Sequence, residues 1–499
     1  MARPLPRSPA AALTLALAAA LLLAAPLDTL VVGQLSEPVS LEPHRATDLV
    51  SAAIVSNVCE TLVRWKRDGS RPEAALATTW ATLDNRTWTF TLREGVRFHD
   101  GTPFDSDAVV ANFEDLRQAG LFHGTAERVG PHIVALVLER PNGALLATLS
   151  QPFLSLQSPA ALPKQSSPVV PVGTGPFRFV GAKHGVVELA SNPAYWGGEP
   201  RLGRVVFRRF PSEEALASAL TAGDVDVTSS VSQDRVEALR GNPSLSLDST
   251  TGLNLAFLSI NNEHPPFTDV RVRQALARAI DREALVRDVL GGHGVPARTP
   301  LPPLLWGYNP RSKELVLNRP MARKLLAQAG LPQGFDTTLM AVESPRPYMP
   351  APRRLAERIR DDLARVGIRA RIRQAASWTE YVSRGSQGDY DLAVLGWQAD
   401  TADPNDFLSA LLSADSIGTT NRSRYRSAAM DALLKRGRMA AHAEERLQVY
   451  HQAQEQFRKD MPWVPLYHVS VFTAYRRAVR GLAVGNTGIL RYDKTWKTE

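Results

Sequence analysis

A chain of 499 residues is too long for one ordinary hydrophobic core, so two or more domains are expected. Its content of 44% hydrophobic and 22% charged residues is that of a globular protein rather than a disordered or fibrous one. The formal net charge of +8 is spread along the chain among interleaved acids, not gathered into a basic stripe, which argues against a nucleic-acid binder.

At the N-terminus, Arg3 and Arg7 precede the uninterrupted stretch AAALTLALAAALLLAA. A positive region followed by an apolar one is the pattern of a secretory signal peptide, expected here over residues 1–27. The apolar core is short for a spanning helix, and no later stretch is long and apolar enough to cross a membrane. Cys59 is the only cysteine, so no intramolecular disulfide forms. No cysteine follows the apolar region either, so the usual bacterial lipid-attachment site is missing. These features point to a soluble protein of a bacterial periplasm. Cys59 lies on an apolar helical face in AAIVSNVCETLV and reads as a buried structural thiol.

The next elements follow in chain order. TLVVG (29–33) reads as a short buried strand, and a helix is expected from about Thr47 to Leu62. In TWTFTLREGVRF, Trp88, Phe90 and Leu92 alternate with threonines, as in a half-buried strand or hairpin. RFHDGTPFDSDAVVANFE (97–114) gathers His99, Asp100, Asp105 and Asp107. Each has a structural role available. His99, Asp100 and Gly101 form a turn, Asp105 caps a helix, and Asp107 sits in its positively polarised first turn. A lone His-Asp pair lacks the further ligands a metal needs.

Beyond a Pro- and Ser-rich stretch (158–171), VGTGPFRFV has a glycine pair without the Gly-Lys-Ser/Thr ending of a phosphate loop, and reads as a tight turn entering a strand. RVVFRRF is a strand, and SEEALASALTAG is a helix capped by Ser212. GLNLAFLSIN is a strand, and DVRVRQALARAIDREALVRDVL is expected as one long amphipathic helix. Helices over 321–330 and in PAPRRLAERIRDDLARVG, the strands IRARIRQ and YDLAVLGW, two helices over 428–459, and the strands PWVPLYH and VFTAYR complete the chain. Alternating helices and strands make the fold class α/β.

The segments LATTWATLDNRTWTFTLREGVRFHDGTPFDSDAVVANFE, GTGPFRF, NPAYWGGEPRLGRVVFRRF, PFTDVRVRQALARAIDREALV and PWVPLYH, in this order, resemble family 5, the peptide/nickel class, of the solute-binding proteins of bacterial ABC importers. PLPPLLWGYN, SPRPYMPAPRRLAERI and LGWQADTADPNDFLSALL resemble the dipeptide-binding members. The resemblance implies a two-lobed periplasmic-binding-protein fold, type II, with an extra inserted subdomain and a hinge between lobes. It places lobe I at 28–43, 172–252 and 469–499, the inserted subdomain at 44–171, and lobe II at 253–468. The crossings then fall near Thr251 and His468. Residues 112–141 and 155–171 look shorter than in relatives, which bears on the size of the ligand admitted.

By the same resemblance, Asp400 in GWQAD holds a ligand ammonium and Arg346 in SPRPYMP holds its carboxylate, while Trp378 and Trp397 line the pocket. The chemistry is apt, since a zwitterion leaving water needs a fixed opposite charge at each end, and guanidinium matches carboxylate geometry. The residues alone also allow local turn roles for Asp400, rival arginines at Arg353 and Arg354, and core positions for both tryptophans. The implied partners are a small peptide and the permease and ATPase complex of the inner membrane. A monomer without cofactor, metal or nucleic acid is expected. Glutathione, a nickel chelate, haem, an opine or a sugar are alternative solutes on the same fold, and a sensor or adhesion role remains for the same module. A secreted hydrolase is disfavoured, because no Gly-x-Ser-x-Gly elbow, His-Glu-x-x-His or phosphate loop is present.

Overall fold

A computed structural model describes residues 28–66, 71–162, 170–313, 315–440, 442–485 and 488–499. The expected signal peptide lies outside the described residues, as does part of the Pro- and Ser-rich stretch. Strand β1 (Thr29–Gln34) shows why TLVVG is apolar without alternation. Leu30 and Val32 enter one cluster with Phe177, Leu189 and Phe207, whereas Val31 enters another with Leu216, Leu220 and Val225. Both faces of the sheet are covered, so every position is apolar.

Helix α1 (Leu49–Val58) begins at Asp48, whose carboxylate accepts from Ser51 N at 2.9 Å. Its Ile54, Val55 and Val58, with Cys59, pack into the same cluster as Leu30. The glycines of VGTGPF are explained by this helix. A Cβ on Gly173 or Gly175 would fall 2.1 or 2.6 Å from the Val58 carbonyl oxygen, so only glycine lets the backbone pass there.

A separate core starts at Leu62, whereas α1 packs into the cluster of β1. It lies under a four-stranded sheet of β2 (Ala77–Thr82), β3 (Thr87–Leu92), β4 (Gly124–Gly130) and β5 (Ile133–Leu138), ordered β2-β3-β5-β4. Helix α2 (Ser106–Gln118) adds Val109, Phe113 and Leu116 to it. The acids of the 97–114 stretch are used locally. Asp105 caps α2 through Ala108 N at 3.0 Å, Asp107 pairs with Arg128 at 3.0 Å, and Asp100 accepts from Ser158 Oγ at 2.6 Å. Half-buried His99 donates from Nε2 to the Gly175 carbonyl at 3.0 Å.

The chain returns to lobe I through β6 (Phe177–Lys183), β7 (Val186–Ser191), β8 (Arg204–Arg209), α3 (Glu213–Ala222), β9 (Val227–Thr228) and β10 (Leu245–Thr251). Ser212 caps α3 through Ala215 N at 3.2 Å. Lobe II follows with β11 (Asn254–Ile260), α4 (Val270–Ala279), α5 (Arg282–Leu290) and β12 (Gly294–Pro296). The single helix expected over 269–290 is thus two. Ile280 and Asp281 are extended, and the Asp281 carboxylate accepts from Ala284 N at 3.0 Å, so a cap wins over continued periodicity. Next come β13 (Phe335–Ala341), α6 (Pro352–Ala364), β14 (Ile368–Gln374), α7 (Trp378–Gln387), β15 (Leu392–Gln398), α8 (Pro404–Leu412), α9 (Ala428–Met439), α10 (Ala443–Asp460) and β16 (Trp463–Arg476).

PWVPLYH and VFTAYR are therefore one strand, β16, of 14 residues. Its first half pairs with β11 and its second half with β9 and β10, so it belongs to both lobes. The combined order is β14-β13-β15-β11-β16-β9-β1-β8-β7-β6, with β10 and β12 also on β16. The second crossing joins β10 to β11 through Gly252 and Leu253. Asn254 ties the two crossings together, donating to the Val469 carbonyl at 3.0 Å and accepting from Val469 N at 2.7 Å. Beside it, fully buried His468 donates from Nδ1 to the Asn254 carbonyl at 2.6 Å.

Candidate functional site

Strand β15 carries the apolar run LAVL into the lobe II core and ends beside the crossing, where Gln398 pairs with Asn254 and Ala399 N donates to the Leu253 carbonyl at 2.9 Å. The loop that follows is shaped by its own acids. Asp406 accepts from the backbone N–H of Asp400 at 2.8 Å and of Thr401 at 2.7 Å. Asp403 caps α8 through Asn405 N at 2.9 Å and forms a buried ion pair with Arg446 at 2.9 Å. The turn roles that the sequence allows for this run thus fall to Asp403 and Asp406, and the Asp400 side chain is left over.

Asp400 is open to solvent, yet the protein around it desolvates its carboxyl enough to raise its pKa. No cation among the described residues pairs with it. Asp406 is pushed up to about 6, first by burial and further by the charge of Asp400, against its backbone hydrogen bonds. An unpaired carboxylate held this way is poised to take a cation.

Arg346 lies in a turn closed by reciprocal backbone bonds with Met349, at 3.0 and 2.8 Å. Its guanidinium sits 3.6 Å above the Trp378 ring, which stacks on Tyr381 at 5.7 Å. Its Nε is buried without an acceptor. Tyr348, two residues on, covers Gly396 so closely that a Cβ there would lie 2.1 Å from the Tyr348 ring. The glycine of the Gly-Trp pair is needed for that contact. Trp397 is half-buried, and its Nε1 has no partner. Strand alternation turns it to the face of β15 opposite Tyr348. The four expected residues thus divide into a contacting pair, Arg346 and Trp378, and a second pair, Trp397 and Asp400, at the crossing end of β15.

A surface cavity of about 680 Å3 elsewhere on lobe II is lined by Asp336, Thr338, Arg369 and Asp391 among others. Both of its carboxylates are already engaged. Arg369 pairs with Asp336 at 2.6 Å, and Asp391 accepts from Thr338 Oγ1 at 2.7 Å.

Residues 71–419 match the family described as bacterial extracellular solute-binding proteins, family 5. The chain belongs to this family. Among similar family 5 proteins, a haem-binding protein A of Haemophilus influenzae is 32% identical over 459 residues, covering 85% of this chain and 84% of that protein. A dipeptide-binding protein of Escherichia coli is 31% identical over 463 residues, covering 86% of each chain. The crystal structure of a dipeptide-binding protein from Pseudoalteromonas in complex with Met-Leu aligns with a TM-score of 0.73 at 27% identity, covering 94% of this chain and all of that one. The two-lobed binding-protein fold follows.

Sequence reasoning passed over three residues of this region. Tyr348 was in plain view behind Arg346 and Pro347, but only the packing on Gly396 singles it out. Asp406 reads as one acid among several in ADTADPND. Arg422, in NRSRYR, reads as part of a solvated basic run.

Proposed function

We propose that this protein captures small peptides between its two lobes in the bacterial periplasm and delivers them to the permease of an ABC importer. The observation that carries this reading is the pairing of chemistries on lobe II. Asp400 is an unpaired, partly desolvated carboxylate beside the crossing, and Arg346 is an unpaired guanidinium backed by Trp378. A zwitterion needs one of each. Asp400 takes the peptide ammonium, Arg346 the carboxylate, and Trp378 and Trp397 enclose side-chain surface. Closure about the two crossings excludes water and strengthens both contacts. Similar proteins named for dipeptide binding support the ligand class. The apolar N-terminal stretch supports export, with the mature chain acting as a free monomeric carrier without a cofactor.

The test is calorimetric titration and thermal shift with free dipeptides, N-acetylated dipeptides, glutathione, haem and nickel-histidine. Free dipeptides are expected to bind and acetylated ones to fail. Asp400→Asn is expected to weaken free dipeptides roughly 10- to 150-fold, as loss of a charged hydrogen bond does. Stabilisation by haem, glutathione or the nickel chelate alone would remove the peptide reading and leave the family intact.

A further inference from the structure

Among the described residues, Arg319, Arg346, Arg358, Arg422 and Arg491 bury Nε without a hydrogen-bond acceptor. Three of them are anchored by carboxylates: Arg319 by Asp362 at 3.2 Å, Arg358 by Asp288 at 3.4 Å and Arg491 by Glu60 at 3.2 Å. Arg346 and Arg422 form no ion pair with any described residue. A guanidinium with a buried, unanswered N–H is costly to the free protein unless a ligand answers it.

These two arginines meet the same helix on the same side. Arg346 covers Trp378 in the first turn of α7. The Arg422 stem fills the notch left by Gly385, where a Cβ would lie 2.9 Å from its Cδ. Residues 378, 381 and 385 share one face of a helix, since seven residues make two turns. The loop bearing Arg422 is fixed. Its carbonyl accepts from the Tyr390 hydroxyl at 2.6 Å, and buried Asn421 donates to the Ser413 and Tyr425 carbonyls at 2.9 and 3.0 Å. Neighbouring cations are neutralised: Arg384 pairs with Asp389 at 2.8 Å, and Arg424 with Glu263. Tyr348 stands within the field of both free guanidiniums, which favour its ionisation against the burial that raises its pKa.

We propose that Arg422 is a specificity-determining residue that joins Arg346 in a two-guanidinium anion site on one face of α7, selecting peptides whose C-terminal residue carries a second carboxylate. Arg346 takes the main-chain carboxylate and Arg422 takes the side chain. This rests on the peptide reading above and names which peptides the site prefers. A fixed fork of donors on a rigid loop is suited to a carboxylate, and leaving it unanswered by a neutral side chain forgoes that contact.

The experiment is calorimetric titration of the full-length protein and of Arg422→Gln and Arg422→Lys with Ala-Glu, Ala-Gln and Ala-Ala at pH 7.5. The unaltered protein is expected to prefer Ala-Glu over Ala-Gln by about tenfold, the scale of one charged hydrogen bond. Arg422→Gln loses that preference and binds Ala-Ala within about threefold of the original, while Arg422→Lys keeps part of it. The proposal is overturned if the unaltered protein does not discriminate, or if Arg422→Gln still does. With Ala-Ala bound and no discrimination, this assignment alone falls. With none of the three peptides bound, the peptide reading falls and takes the assignment with it. Should Arg422→Gln fail to fold, the unaltered protein and Arg422→Lys still decide the outcome.

Discussion

Asp406 and Asp400 crowd two negative charges into one turn, and Asp406 bears the cost: its pKa stands at about 6 against an ordinary 3.8. The folded protein therefore binds a proton that the unfolded chain does not between those two values. Stability contributed by this group rises as pH falls through 6 and is lost as pH rises. Asp406→Asn keeps an oxygen for the Asp400 and Thr401 N–H groups while removing the charge. It is expected to stabilise the protein at pH 8 by on the order of 1–3 kcal/mol and to add almost nothing at pH 4. Urea denaturation at the two pH values reads this, and an equal effect at both would refute the charge argument. Asp400 and Arg346 were legible in the sequence as candidates, because short flanking patterns, Gly-Trp and Arg-Pro-Tyr, mark them. Asp406 and Arg422 were not, because an acid in an acidic turn or a base in a basic run carries no local mark. Their roles come from neighbours far away in sequence.

Helix α9 ends against the inserted segment, and this contact shows how elements read singly hide their partners. The last carbonyls of a helix have no partner within it. Asn85, fully buried with φ 55°, donates to the Met439 and Ala440 carbonyls at 3.0 and 2.8 Å. Gly143 N donates to the Arg438 carbonyl at 2.7 Å. The side-chain cap is thus supplied from 354 residues away, a distance over which no helix-stop signal reaches. Asn85→Ala removes both side-chain bonds and places a β-carbon residue in a left-handed conformation. Asn85→Gly removes the bonds alone. Both should lower stability, Gly by roughly 1–3 kcal/mol and Ala by about 1 kcal/mol more. Chemical denaturation of the pair separates the two effects, and a glycine variant as stable as the original would show that the contact contributes nothing. The same limit explains the other misreadings. The 269–290 helix broke because Asp281 could cap, and two expected strands fused because β16 serves sheets on both sides of the crossing.

At the scale of the whole molecule, the α/β class and the two lobes were readable from alternating elements and from long motifs in a fixed order. How the lobes join was not, since it depends on which strands pair. That junction makes a titration visible in global stability. His468 is fully buried where β16 changes lobe, its Nδ1 committed to Asn254 and its Nε2 without a partner. Burial holds its pKa at about 4 against 6.5 for a free histidine. Between these values the unfolded chain takes up a proton that the folded one refuses. Stability is therefore full above pH 6.5 and falls as the pH drops toward 4, by a total on the order of 3 kcal/mol. Asp406 works in the opposite direction below pH 6, so the observed slope is the difference between the two. His468→Gln removes the titration, and its stability should vary less steeply with pH between 6.5 and 4, whatever its absolute value. Thermal unfolding of both proteins across that range decides the matter: parallel curves would mean that the imidazole at the crossing takes no part in the acid response, and converging curves that it drives it.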